Sequence, residues 1–401
     1  MSIAVPRARV APPAGTARLL AGVGRSATYE RHLALYGLLE HPRELTELVR
    51  SAGLRGRGGA GFPAADKLDA VARARGGAVV VGNGVEGEPA SKKDRSLLRV
   101  APHLVLDGAA LAAGAVGARE AVIAVSAPAP ELELAIGERE RRGHDAISID
   151  VELVPNRFVA GEETALIQAL SGKSPKPTLK PPYPFERGLD GAPTLVQNVE
   201  TLAHMALIAR FGPDWFRPGT ALVTLSGAVT RPGVHEIPLG TTLAEAIASA
   251  GGLDETVSAY LVGGYFGRWV AAADADRTQL TPDTLGAGAI VALPAATCAV
   301  AECAQVVRYL AGESAGQCGP CVHGLAAIAD ALRVDRRGDM RPELDRLGRI
   351  VSGRGACRHP DGAVRFVQSA LETFADEFAR HAGHRGCGRR YLGVLPVEDG
   401  W

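Results

Sequence analysis

Between residues 78 and 153 the chain alternates short β-branched runs with helical stretches, and this alternation restricts the fold more than any other feature. Strand signals fall at 78–81, 121–125 and 148–153, with helical periodicity at 104–116 and 132–142 between them. Strands separated by helices pair most simply as neighbours in one sheet with the helices packed on it, an α/β layer. From 221 to about 294, short strands with turn signals such as Arg231-Pro-Gly and Pro238-Leu-Gly enclose one helical stretch near 242–250, a small α+β module. Beyond 296 the strand signals vanish. Four helical stretches follow at 298–311, 320–333, 342–353 and 361–381, which predicts a small bundle. Residues 1–28, rich in Ala, Pro and Arg without periodicity, read as a mobile lead-in.

Ahead of the first strand an amphipathic stretch at 44–52 runs into Gly53-Leu-Arg-Gly-Arg-Gly-Gly-Ala-Gly61, five glycines in nine positions. A dinucleotide fingerprint would follow a strand, so an ordinary Rossmann site is disfavoured. The composition still suits a phosphate: glycines let backbone amides approach an anion, and Arg55, Arg57 and Lys67 bring positive charge. Asn83-Gly-Val-Glu86-Gly-Glu88 directly follows a strand, at the carboxyl edge where α/β sheets bind ligands. Gly161-Glu162-Glu163 opens a helix, where carboxylates also serve as plain caps.

Cys318-Gly-Pro-Cys321 and Cys357 fall at the helix ends of the expected bundle. Soft thiolates at this spacing suit an iron–sulfur cluster, with a tetrahedral zinc site or buried reduced thiols as alternatives. A four-iron cluster normally takes four thiolates, and Ala315, three residues before Cys318, stands where another would be spaced correctly. The spare candidates are Cys298, Cys303, Cys387, His323 and His359, each more often a packing or surface residue than a ligand.

With 401 residues, 46% of them hydrophobic, the chain can fill two or three cores, at roughly 100–200 residues per domain. Lys plus Arg and Asp plus Glu both number 44, so no net basic field draws in nucleic acid. Six cysteines in so long a chain do not make a disulfide framework. No apolar run reaches the ~20 residues of a membrane span, and no signal-type apolar core opens the chain. The expectation is a reducing cytoplasm, no nucleic-acid partner and no direct membrane insertion.

The glycine loop through Pro63, Asn83 to Arg95, Gly161 to Ala165, Leu179-Lys-Pro-Pro-Tyr-Pro, Val196-Gln-Asn-Val-Glu-Thr201 and Glu313 to Cys321 occur in an order that resembles the NADH-binding flavoprotein subunit of respiratory complex I. The same core recurs in soluble NAD-reducing hydrogenases and NAD-dependent formate dehydrogenases. The resemblance implies an FMN/NADH-binding α/β domain at 29–215, a β-grasp (soluble-ligand-binding) domain at 216–295, whose Leu225-Ser-Gly-Ala-Val-Thr-Arg-Pro-Gly233 carries the likeness, a helical iron–sulfur domain at 296–385 and a tail at 386–401. On this resemblance Gly56, Arg57, Gly58 and Lys67 cradle the FMN phosphate. Asn83, Glu86, Gly161, Glu162, Glu163, Asn198 and Thr201 face the flavin, and Glu88, Phe62, Lys180 and Tyr183 face NADH. Ala70 stands where the family usually has a second aromatic. Glu86, Glu162 and Glu163 are expected to act through their field, not by proton transfer. Cys318, Cys321 and Cys357 are the implied metal ligands, for a 4Fe-4S or, one ligand short, a 3Fe-4S cluster. Electrons would run from NADH through FMN to the cluster and then to a ferredoxin-like or thioredoxin-like iron–sulfur partner, in a cytoplasmic subunit peripheral to a membrane complex. Alternative readings are the same scaffold fed by ferredoxin with weak NADH binding, and a noncatalytic ligand-binding or assembly protein.

Overall fold

The computed structural model describes residues 11, 15, 17–24, 27–335, 338–383 and 386–397, so much of the expected lead-in lies outside the described residues. Where it is described, at 17–24, the lead-in is pinned. Leu19 is fully buried, and the Leu19 and Leu20 amides donate to the Glu236 carboxylate at 2.8 and 3.0 Å.

Val79, Val80 and Val81 open the central strand, β1 (Val79–Gly84), and all three are buried. A parallel strand covered on both faces loses water from every residue, so its sequence reads as a continuous apolar run. β1 lies between β2 (Glu120–Val125) and β4 (Thr194–Asn198), with β3 (Ser148–Leu153) outside β2, and every pairing is parallel. β1 runs past the expected end at 81 through Asn83, which pairs with Asn198 at the end of β4. β4 escaped the sequence pattern because Thr194-Leu-Val-Gln-Asn has only two adjacent apolar residues; pairing with β1 makes it a strand. The helices Pro102–Val116 and Val199–Phe211 share one core with the sheet. Their contact is so close that a Cβ on Gly108 would lie 2.0 Å from the Leu202 carbonyl oxygen, so only glycine fits.

The α+β module is a five-stranded sheet in the order β6-β5-β9-β7-β8: β5 (Thr220–Gly227), β6 (Gly233–Pro238), β7 (Val257–Val262), β8 (Arg268–Ala271) and β9 (Ala289–Pro294). β5 and β9 are parallel at its centre. Its helix Leu243–Ser249 starts at a reciprocal capping box between Thr242 and Glu245.

The helical region comprises Ala299–Gly312, a π-helical turn Pro320–Leu325 running into Ala326–Ala331, Arg341–Val351, His359–Thr373 and Ala375–Ala382. The stretch expected at 361–381 is therefore two helices. The break is at Phe374, whose ring packs on Trp269 of β8 with centroids 4.9 Å apart. The bundle is not free-standing: Leu261, Trp269 and Val291 of the five-stranded sheet share a core with Val306, Phe366 and Phe378. Among the described residues no single helix is long and apolar enough to cross a membrane.

Candidate functional site

The glycine loop rests on the carboxyl end of β4 and the start of the helix that follows it. A Cβ on Gly58 would touch the Asn198 side chain at 3.4 Å, and the Arg57 amide donates to Thr201 Oγ1 at 2.9 Å. Asn198 caps the Val199–Phe211 helix by accepting from the Glu200 amide, while its Nδ2 donates to Asp94 and to the Asn83 carbonyl at 2.8 and 3.2 Å. Beneath lies a buried charged cluster absent from the sequence expectation. Lys93 donates to Asp94 at 2.7 Å and to Glu200 at 2.9 Å, and Glu200 accepts the Leu222 amide from β5. Burial opposes the Glu200 carboxylate, but Lys93, His204 and Arg57 outweigh it and hold it down at about 2. Burial dominates at Asp94, which is pushed up despite Lys93.

Both loop arginines are committed to the fold. Arg57 is buried: its Nη2 donates to the Thr220 carbonyl at 3.0 Å and its Nε lies 3.7 Å from Glu200. Arg55 bridges the Gly61 carbonyl and the Asp283 carboxylate. The amides of Gly58, Gly59 and Ala60, which are exposed, take no hydrogen-bond partner among the described residues. The guanidinium groups thus act as staples that shape the loop.

A partly exposed rim stands beside this floor. Lys180 donates to Glu162 at 3.0 Å and to Glu163 at 2.6 Å, and Lys67 donates to Glu163 at 3.1 Å. Burial opposes the Glu163 carboxylate, but Lys67 and Lys180 prevail and lower its pKa. Glu162 also caps the helix Glu163–Leu170, accepting from the Thr164 and Ala165 amides. Glu86 likewise caps a helix, Lys93–Val100, accepting from the Asp94 and Arg95 amides and from Ser91 Oγ. The carboxylates expected to act through their field are capped or paired with lysine. Asn83 Nδ2 donates to the Gly161 carbonyl at 2.9 Å and joins rim to floor. Phe62 is half exposed, and Tyr183, also exposed, stacks on Phe185 with centroids 5.4 Å apart.

Glu88 does not join this rim. It is buried at the seam with the five-stranded sheet, accepting from the Ala90 and Tyr265 amides at 3.2 and 2.7 Å. Burial pushes its carboxyl up to about 7. Gly264 makes the seam possible: its φ is +75° and a Cβ there would lie 2.5 Å from Glu88 Oε2.

Cys318, Cys321 and Cys357 line one pocket together with Ala315, and Val159 and Pro177 of the α/β region close it from the other side. Cys321 sits in the π-helical turn, a local distortion often found at functional sites. Burial and the neighbouring Cys318 push its thiol up to about 12. Three thiols thus converge as an iron–sulfur cluster requires, and the fourth side presents a methyl group. Glu313 accepts from the Phe158 amide and pairs with Arg157, and Gln317 donates to the Pro177 carbonyl, so the cysteine loop is docked on the segment leading to Gly161. His359 donates Nε2 to the Leu310 carbonyl at 2.7 Å, while Cys298 and Cys387 lie elsewhere, beside His381.

Residues 49–207 match the Nuo51 FMN-binding domain family, 222–264 the SLBB domain, and 301–381 the NADH-ubiquinone oxidoreductase-F iron-sulfur binding region. The chain is 34% identical over 381 residues to the second F-type subunit of NADH-quinone oxidoreductase in Rhizobium meliloti (strain 1021), covering 86% of this chain and 90% of that protein. It is 32% identical over 370 residues to the F-type subunit of NADH-quinone oxidoreductase in Aquifex aeolicus (strain VF5), covering 85% and 86%. Among solved structures, the NAD+-reducing [NiFe]-hydrogenase in the H2-reduced state superposes with a TM-score of 0.79 at 30% identity. That match covers 85% of this chain and spans only 62% of the hydrogenase chain.

Proposed function

This chain belongs to the family of F-type subunits of NADH-quinone oxidoreductase, and we infer from that membership and from the site that it carries electrons from NADH through FMN to an iron–sulfur cluster. The observation that carries the reading is continuity. A Cβ on Gly58 would touch Asn198, Asn198 and Asn83 are bonded, Asn83 holds Gly161, and the turn containing Gly161 also supplies Val159 to the cysteine pocket. A two-electron site and a one-electron site would thereby share one wall.

FMN, when bound, accepts hydride from NADH and releases the electrons one at a time. In this reading the Gly56–Gly61 backbone receives the phosphate, and Lys67, beside Glu163, adds a side-chain cation. Asn83, Asn198 and Thr201 fix the floor that sets the loop's height. Glu86 and Glu162 hold the amino ends of two helices toward the site. Phe62, Tyr183 and Lys180 form the exposed face for the nucleotide, and Glu163, which Lys67 also holds, can release Lys180 as NADH arrives. Glu88 acts from the seam, positioning β1's loop through Tyr265. Cys318, Cys321 and Cys357 would supply three thiolates to the cluster, leaving one iron at Ala315 to a non-protein ligand.

The domain division at 29–215, 216–295 and 296–385 is supported by the placement of the two sheets and the helical region. Partner subunits are implied by the relatives' names, and we assign the electron acceptor to a ferredoxin-like or thioredoxin-like iron–sulfur protein of the same assembly, with the assembly at the cytoplasmic side of a membrane. The test is flavin content. Gly58→Val forces a branched side chain toward Asn198 and into the loop, so the purified variant should lose stoichiometric FMN. Full retention of FMN would remove the loop from the site. Ala315→Cys should raise iron per chain after aerobic purification, since a thiolate completes the shell.

A further inference from the structure

Away from the flavin and cluster sites, four metal-binding side chains meet where the chain's end folds back on the helical region. Cys298, Glu377, His381 and Cys387 each offer one ligand atom, and all four atoms lie within 4.8 Å of one another. Cys298 Sγ and His381 Nε2 are 3.3 Å apart. A tetrahedral zinc with bonds of about 2.0–2.3 Å places its donors roughly 3.3–3.8 Å apart, so closing this group onto an ion takes shifts of about an ångström or less. We propose that these four residues form a second, structural metal site that takes zinc(II), separate from the Cys318, Cys321 and Cys357 pocket.

The donors come from three segments whose directions are already settled. Glu377 and His381 are one turn apart on the same face of the Ala375–Ala382 helix. Cys298 is the N-cap of Ala299–Gly312, and its sulfur accepts the Ala301 amide, a contact that favours a thiolate. Cys387 belongs to the terminal segment, which is stitched to the same place: the Cys298 amide donates to the Arg390 carbonyl at 2.8 Å, and the Val394 and Leu395 amides donate to Glu302. Two thiolates, one carboxylate, a neutral imidazole and a divalent ion sum to minus one. Arg389, 2.7 Å from Glu377, offsets that charge. Among the described residues Glu377 Oε1 accepts only the Ala299 amide, so a lone pair remains for a metal.

Binding is an acid–base exchange without electron transfer: both thiols release protons to solvent as two sulfur–zinc bonds form. Burial, reinforced by Cys387, pushes the Cys298 thiol up to about 12, so ionisation there needs a cation to drive it. Two soft thiolates with one imidazole select zinc over magnesium or calcium. The ion would clamp the terminal segment to both helices and hold Leu395, which is buried, in the shared core.

The experiment uses the full chain, purified anaerobically with its flavin and iron and exposed to zinc chloride before desalting. Elemental analysis should find one zinc per chain besides the cluster iron. Cys387→Ser and His381→Gln should each lower zinc to below about a tenth of parent, because losing a ligand costs at least the ~10–100-fold of losing an outer partner. FMN, iron and sulfide should stay unchanged in both variants. Cobalt(II) in place of zinc should give the visible bands of a tetrahedral thiolate site in the parent and not in Cys387→Ser. His381 is half buried on an outer helix, so His381→Gln tests the site even if Cys387→Ser misfolds. A zinc-free parent, zinc kept by both variants, iron lost in place of zinc, or a Cys298–Cys387 disulfide in the reduced preparation would each overturn the assignment. Because FMN and iron are counted separately, failure here leaves the flavin reading untouched.

Discussion

The charged floor beneath the glycine loop and the charged rim beside it are built from the same residue types and behave as different materials. In the floor, Lys93 and Glu200 are 3% and 1% exposed, while in the rim Lys67, Lys180, Glu162 and Glu163 are 25–32% exposed. A buried ion pair adds little over an apolar replacement, but removing one partner strands the other charge where water cannot reach it. A partly exposed pair contributes little to stability and swaps partners cheaply. The floor therefore fixes geometry, and the rim is where its lysines can change partners.

The largest test of this contrast is Glu200→Ala. It leaves Lys93 and Arg57 without the carboxylate they share and deletes an acceptor for the Leu222 amide, so urea unfolding should show a loss of about 3–5 kcal/mol. A loss no greater than that of a rim variant would collapse the distinction. Glu88, at the seam, gives the next largest effect. Its carboxyl titrates at about 7 where buried, against an ordinary 4.5. The folded state thus keeps a proton that the unfolded chain has released, and stability falls as pH rises from about 4.5 through about 7, by on the order of 3 kcal/mol. Glu88→Gln should flatten that slope in denaturation measured at several pH values, whatever its absolute stability. Lys180→Ala should do least to the fold, within about 1 kcal/mol of parent. It should instead raise the KM for NADH by about tenfold, equivalent to ~1.4 kcal/mol, while FMN content holds. A change in FMN content or unfolding without a change in KM would place Lys180 in the floor's class.

What was legible beforehand follows the range of the signal. The α/β order, the α+β module and the helical end were readable because strand and helix periods are local, and Val79 to Val81 announce a covered strand by themselves. β4 was not, since Thr194 to Asn198 becomes a strand through its neighbour β1. Lys92-Lys93-Asp94-Arg95 is a run of charged residues, and nothing local says that Lys93 and Asp94 turn inward to meet Glu200. The break at Phe374 needed Trp269, more than a hundred positions earlier.

By itself the sequence determined the order of the layers, the run of glycines ahead of the first strand, and the lack of a cysteine at position 315, because each depends on residue type and short spacing. Only the tertiary structure decided which charges are spent. Arg57 turns into the core against Thr220, Glu88 goes to the seam with Tyr265, and Cys298 meets His381 across 83 positions. A side chain's partner is settled by how distant segments pack, and a buried charge must follow whichever partner that packing brings to it.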